Sequence, residues 1–270
     1  AYQSYTHLLR GFVTESSSAE QQMETVVNAN LLRLDVAHAG YGIANNLSNP
    51  PLRWSNSNNT LTIRSTINNL DEETLGWVLC SNGSMVQDND DANLNNYVFL
   101  DRNEDLLPPP PTSTCPASGF SVGYPYDPGV PGGCTGQPCY TISYTLSSTQ
   151  SLDECAAGTG NLQRTTSFGA NWDPVINCVA DWQVAFERDT TGDGAMDTFT
   201  TSSITFSPAN ASEVKQVHVY ALVQEGSYER DYTFSGSTSM DGVNLSLPDP
   251  NENKHYRWKM MKFSVNPQDL

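Results

Sequence analysis

The run Leu31-Leu32-Arg33-Leu34-Asp35-Val36-Ala37-His38-Ala39-Gly40-Tyr41-Gly42-Ile43 decides the fold, because one kind of chain becomes another there. From Ala1 to Ala39 there is no proline, and the only glycine is Gly11. Apolar residues fall at Leu8, Leu9 and Phe12, then at Met23, Val26, Val27, Leu31, Leu34, Ala37 and Tyr41. The second group steps by three or four, the period of one helix face. Thr14 or one of Ser16 to Ser18 offers an N-cap ahead of Glu20, since a short hydroxyl side chain accepts from the first unpaired helix N–H groups. Gly40 and Gly42 supply the stop, because glycine accepts the left-handed conformation that ends helices. The spacing predicts a helix over about 16–39, with residues 1–44 as one organisational unit and the apolar stripe packed on the rest of the chain.

Past Asn45 the pattern changes to short β-branched and aromatic runs. These are Thr60 to Ile67, Trp77 to Cys80, Tyr97 to Leu100, Tyr140 to Leu146, Trp182 to Glu187, Thr198 to Phe206, Val214 to Gln224 and Tyr256 to Val265. Asn, Gly, Pro and Asp punctuate them, which is the grammar of strands and turns. In the Val214 run, Val217, Val219, Ala221 and Val223 share one face, and His218, Tyr220, Leu222 and Gln224 share the other. Period two marks a central strand. Residues 45–270 therefore read as a β-rich head. About 101–180 reads as an insertion, with Pro108 to Pro111, a Gly/Pro-rich stretch from Gly123 to Gly136, and five of the six cysteines.

The charge is lopsided, with 13 basic against 30 acidic residues and a formal net charge of -17 over 270 residues. That field repels phosphate backbones and anionic lipid headgroups, and no basic cluster overrides it, so nucleic acid is excluded as a partner. The cysteines are Cys80, Cys115, Cys134, Cys139, Cys155 and Cys178. No C-x-x-C or paired His set accompanies them, so disulfides formed in an oxidising compartment are expected, with the pairing open. No stretch approaches the roughly 18 apolar residues that a membrane span needs. Disulfides imply export, so a targeting segment is expected upstream of Ala1.

One loop carries local chemistry. Asp189, Thr191, Asp193 and Asp197 stand at positions one, three, five and nine of a run whose sixth residue is Gly194. Alternate oxygens on a tight loop converge on one point, and the Ala195 carbonyl would be the seventh-position ligand of a structural Ca2+. Thr191 stands where Asp or Asn is usual, and Thr200 stands where a bidentate Glu would close the set. The other reading is a polar hairpin loop, for which Asp and Gly are common without any metal.

No nucleophile elbow, H-E-x-x-H or P-loop pattern is present, and His7, His38, His218 and His255 have no companions at ligand spacing. The chain is expected not to be an enzyme. A secreted adhesive or carbohydrate-binding module is the alternative, because Trp54, Trp77, Trp172, Trp182 and Trp258 could stack on sugars.

Four stretches carry a family resemblance. Leu31 to Asp35 with Ala39 to Ile43, the strand and loop Trp182 to Asp197, the strand Val214 to Val223, and Tyr256 to Lys259 resemble PilW-like type IV minor pilins and the related J-type pseudopilins. They lie in the family's order and cover about a third of the chain. The processed pilin N-terminus is absent from Ala1 to His7, so the membrane half of the helix is expected to be missing. The resemblance implies a pilin-like α+β fold, with a long N-terminal α-helix packed on antiparallel β-sheet and a disulfide-rich loop insertion. It implies a structural subunit of a type IV pilus or type II secretion pseudopilus, in a priming or tip complex. Implied partners are other minor pilins or pseudopilins and a tip adhesin. The implied place is the periplasm and cell surface, anchored in the inner membrane before assembly.

Overall fold

The computed structural model describes residues 28–88, 96–108, 114–129, 134–149, 152–166 and 171–270. Among them, α1 covers residues 28–37. The strands that follow are β1 (Leu52–Ser55), β2 (Thr60–Ser65), β3 (Val78–Ser81), β4 (Ser84–Asp88), β5 (Tyr97–Leu100), β6 (Phe120–Pro125), β7 (Tyr140–Leu146), β8 (Gly160–Thr165), β9 (Asp173–Arg188), β10 (Thr198–Thr200), β11 (Ile204–Phe206), β12 (Val214–Glu225), β13 (Ser239–Met240), β14 (Val243–Asn244) and β15 (Arg257–Val265). Two one-turn helices, α2 (Pro208–Ala211) and α3 (Pro250–Asn253), lie beside β12 and β15 in sequence.

The main sheet runs β11-β1-β2-β7-β8-β9-β12-β15, with β10 also pairing β9. Its pairings are antiparallel, and the sheet curls into a half-barrel. One apolar cluster lines its inner face, joining Trp54, Ile63, Ile142, Trp182, Phe186, Val219 and Phe206 to Leu32, Val36 and Ala39 from the helical segment. The strand β12 is buried on both faces. Its Val217, Val219, Ala221 and Val223 enter that cluster, while Tyr220 and Leu222 pack outward with Ala185, Trp258, Val243 and Leu245. The chain after β12 folds back over the sheet to make this second layer, which is why the strand's two faces differ so little in polarity.

A smaller sheet, β4-β3-β6-β5, stands beside the first. The bond Cys80–Cys115 lies in its own apolar cluster with Val78 and Phe99. Cys134–Cys139 and Cys155–Cys178 are the other two pairings, so all six cysteines are disulfide-bonded.

The α+β expectation is corrected here. Among the described residues strand takes 40% and helix 10%, with one helix of seven or more residues and no long N-terminal helix. Of the helix expected over 16–39, residues 16–27 lie outside the described residues, and the described part ends at residue 37. The face on the sheet also differs from the expected stripe. Ala29, Leu32, Asp35, Val36 and Ala39 are buried, whereas Leu34 is 49% exposed. Both stripes have the helical period, and the buried arc is turned away from Leu31, Leu34 and Ala37 toward Leu32, Asp35, Val36 and Ala39. The 101–180 stretch is likewise no appended loop: it supplies β6, β7, β8 and the start of β9. The strand β8, Gly-Asn-Leu-Gln-Arg-Thr, lacks apolar alternation, because it is held by neighbours on both sides rather than by its own pattern.

Candidate functional site

The site is the place where the helical segment is keyed into the sheet. The side chain of Asp35 points into the half-barrel and is 1% exposed. Opposite it, Tyr144 on β7 and Arg164 on β8 are direct cross-strand neighbours. The Arg164 guanidinium donates to Asp35 through Nε at 2.7 Å and Nη2 at 3.4 Å. The Tyr144 hydroxyl donates to the same carboxylate at 2.5 Å, and Asn69 Nδ2 donates at 2.8 Å. Arg164 Nη2 also reaches Asn68 Oδ1 at 3.1 Å. The carboxylate thus meets donors from two strands and the loop after β2, which compensates the desolvation of both charges. Burial, then the charge of Asp35, pushes the Tyr144 phenol far above its ordinary range, so it stays a donor. Burial alone would lower Arg164, but the bond to Asp35 outweighs it and holds the guanidinium charged.

The residues just past α1 join the two sheets. Gly40 adopts φ +90, and a Cβ there would sit 2.4 Å from the Asp269 carbonyl oxygen. Gly42 adopts φ +68, and its Cβ would meet Thr66 Oγ1 at 2.5 Å. Both demands exclude other residues. Between them Tyr41 donates its hydroxyl to the Gly76 carbonyl at 2.9 Å and sets its ring edge-on to Tyr124, with centroids 4.7 Å apart. The Cys134–Cys139 loop clamps the same segment. Gln137 Oε1 accepts from the Ala44 N–H at 2.8 Å, and Gln137 Nε2 donates to the Gly42 carbonyl at 2.8 Å.

The sequence singled out Asp35, Gly40, Tyr41 and Gly42 through the resemblance. It missed Tyr144, Arg164, Asn69 and Gln137. Separations of 34, 109 and 129 residues from Asp35 carry no local signal. An arginine buried at 4% exposure in a strand is the one hint, and burial is not visible in a sequence.

The Asp189–Asp197 loop joins β9 to β10 and is held by its own carboxylates. Asp189 accepts from the N–H groups of Gly192, Asp193 and Gly194 at 2.7, 3.2 and 2.8 Å, and from Thr191 Oγ1 at 3.4 Å. Asp197 accepts from the Thr190 and Thr191 N–H groups at 3.0 and 3.1 Å, and Asp193 accepts from the Ala195 N–H at 2.9 Å. As placed, these groups serve the loop's backbone. Among the described residues, no group of three or more His, Cys, Asp or Glu is positioned to hold a metal ion. Ca2+ at this loop is a proposal whose direct test is calorimetric titration of chelator-treated protein.

The loop makes a prediction about pH. Desolvation tends to raise the Asp189 carboxyl, but the hydrogen bonds from Gly194, Gly192 and Asp193 hold it below the usual carboxylate range. A depressed folded value stabilises above the unfolded pKa and is lost as pH falls through the folded one. Asp189→Asn is therefore expected to lower Tm at pH 7, with the gap from wild type closing below about pH 4. Paired melting curves across that range check it; a gap independent of pH would refute the assignment.

The fold and site define an antiparallel, disulfide-bonded β protein with a short described helix keyed into its main sheet by a buried ion pair. No protein-family model matches the chain, and no curated protein matches it. Among solved structures, it is similar to a type IV-like pilin from Thermus thermophilus at 12% identity and a TM-score of 0.45, over 92% of this chain and 96% of that one. No helix among the described residues is long and apolar enough to cross a membrane.

Proposed function

We propose that this chain is the head of a minor pilin or pseudopilin, a non-catalytic structural subunit of a type IV pilus or type II secretion pseudopilus. The observation that carries this reading is the fate of the motif Leu31 to Ile43. Residues of that motif form the joint between helix and sheets. Asp35 keys the helix into the main sheet, and Gly40, Tyr41 and Gly42 turn the chain across the seam. A helix gripped on one side by a buried charge pair keeps its other side for assembly. Leu34, 49% exposed, lies on that free side. Other minor pilins or pseudopilins, and a tip adhesin, are the proposed partners. The proposed location is the periplasm and cell surface, with an inner-membrane helix preceding Ala1.

Leu34→Glu tests the reading. It places a charge on the free face without touching the core, so Tm should change little, as surface substitutions do. Co-purification with sister pilin-like subunits should fall by an order of magnitude or more, since a charge buried without a partner is strongly unfavourable. Unchanged co-purification would count against this face. A gene encoding a standard secretory signal peptide before Ala1, rather than a prepilin leader and an apolar helix, would overturn the family reading itself.

The carbohydrate-binding alternative loses most of its platform. Trp54 and Trp182 are each 1% exposed and Trp258 is 7% exposed, so three of the five tryptophans are core residues.

A further inference from the structure

The outer face of the main sheet brings a hydroxyl, an imidazole and a carboxylate together on three neighbouring strands, β15, β12 and β9. His218 on β12 stands directly opposite Ser264 on β15, and its Nδ1 lies 2.7 Å from Ser264 Oγ. Its Nε2 lies 3.2 Å from Glu187 Oε1 on β9, at an angle too bent for a full hydrogen bond. The imidazole is buried, whereas Ser264 is half-buried and the Glu187 side chain is 31% exposed. Ser264 also lies on the last strand of the sheet, which pairs on one side alone among the described residues.

The two ends of the ring meet different chemistry. A carboxylate facing Nε2 favours the proton there, which leaves the Nδ1 lone pair to accept from the hydroxyl. A base held against a hydroxyl, and itself oriented by a carboxylate, is the arrangement that makes a serine nucleophilic. The remaining ring neighbours are Phe199 on β10 and Tyr220 on β12, with centroids 6.1 and 6.2 Å away. The charged groups around the ring are Glu187, Lys262 on β15, and Asp241 in the turn between β13 and β14. Burial, then Lys262, lowers the imidazole below its ordinary value, against the pull of Glu187 and Asp241. At pH 7 the ring is therefore a neutral base.

We propose that Ser264 is a covalent modification site, a nucleophile that accepts one acyl group from an activated ester. Ser264 Oγ forms a bond to the carbonyl carbon as the carbon's bond to the leaving oxygen breaks. The hydroxyl proton passes to His218 Nδ1 and from there to the leaving group, so the products are acylated Ser264 and a free alcohol. Glu187 is a positioning residue, which holds the tautomer and stabilises the ring while it carries the proton. The event occurs once per chain without turnover, and it does not depend on the pilin reading.

The probe is diisopropyl fluorophosphate, a general electrophile for activated serines, applied to the intact protein with each labelled serine read by peptide mass spectrometry. Ser264 should label about 100-fold faster than the exposed Ser202 and Ser235, the lower scale of general-base assistance. p-Nitrophenyl acetate should acetylate the same residue. The labelling rate should rise with pH as the imidazole loses its proton and level off above a midpoint below the ordinary histidine value. His218→Gln should slow labelling about 100-fold, with Tm as the check on folding. Glu187→Gln should move the midpoint to lower pH, since the carboxylate raises the imidazole, and a merely structural role would leave that midpoint in place. Where a variant fails to fold, the wild-type rate and its pH profile decide the matter. Ser264 labelled no faster than Ser202 and Ser235, or a rate without that midpoint, overturns the proposal.

Discussion

Asp35→Ala is expected to lower the unfolding free energy by about 3–5 kcal/mol, because it strands a buried guanidinium. Arg164 is 4% exposed, and without Asp35 its guanidinium is left beside the neutral groups of Asn68 and Tyr144. The Tyr144 hydroxyl loses its acceptor in the same step. For a chain of this length each kcal/mol moves Tm by about 2–4 °C, so a fall of roughly 10 °C should be seen. Amide exchange in α1 should quicken more than in β9 or β12, since the lost contacts are those that hold the helix. The pair Asp35→Leu with Arg164→Met should recover most of the loss. Removing both charges removes the desolvation penalty that the single variant leaves uncompensated. A single variant within about 1 kcal/mol of wild type would mean that the ion pair does not key the helix.

Trp182→Ala is expected to be about as damaging, at roughly 3–5 kcal/mol from lost contacts and the cavity left behind. The indole is 1% exposed, stands opposite Ala221 on β12, and meets Trp54 edge-to-face with centroids 5.1 Å apart. Its Nε1 finds no acceptor among the described residues. Trp54 differs, since its Nε1 donates to Asn56 Oδ1. Trp182→Phe therefore gives up packing alone, whereas Trp54→Phe gives up packing and a hydrogen bond, a further loss of about 1 kcal/mol. Urea unfolding of the three variants measures the ordering. Equal losses in the two Phe variants would show that Trp182 Nε1 is satisfied in solution, most simply by a buried water.

Much of the strand content was legible because period-two alternation is a local property. Tyr97 to Leu100 and Tyr140 to Leu146 stand in the structure as read, and the Val214 run is longer by one residue at Glu225. The strands β1, β4, β6 and β8 were not read. They are short or mixed in polarity, and they become strands through the neighbours they pair with. The helical segment shows the same divide within ten residues. Its existence and its glycine stop were readable from Leu31 to Gly42, but its inward face was not. A rule that places apolar residues inside assigned Leu34 to the core and left Asp35 out. The fold does the reverse, because Asp35 finds Arg164, Tyr144 and Asn69 waiting.

Residue order alone therefore established a strongly acidic chain, with cysteines suited to disulfides, in which a helical segment leads into a strand-rich head. Those properties depend on composition and on spacings of a few residues. Tertiary structure decided that the described residues are mostly β, that the cysteines pair as Cys80–Cys115, Cys134–Cys139 and Cys155–Cys178, and that a buried aspartate joins helix to sheet. Each of these depends on groups up to 129 residues apart. Whether a charge is tolerated in the interior is set by the partner that folding brings to it, and no local pattern encodes that partner.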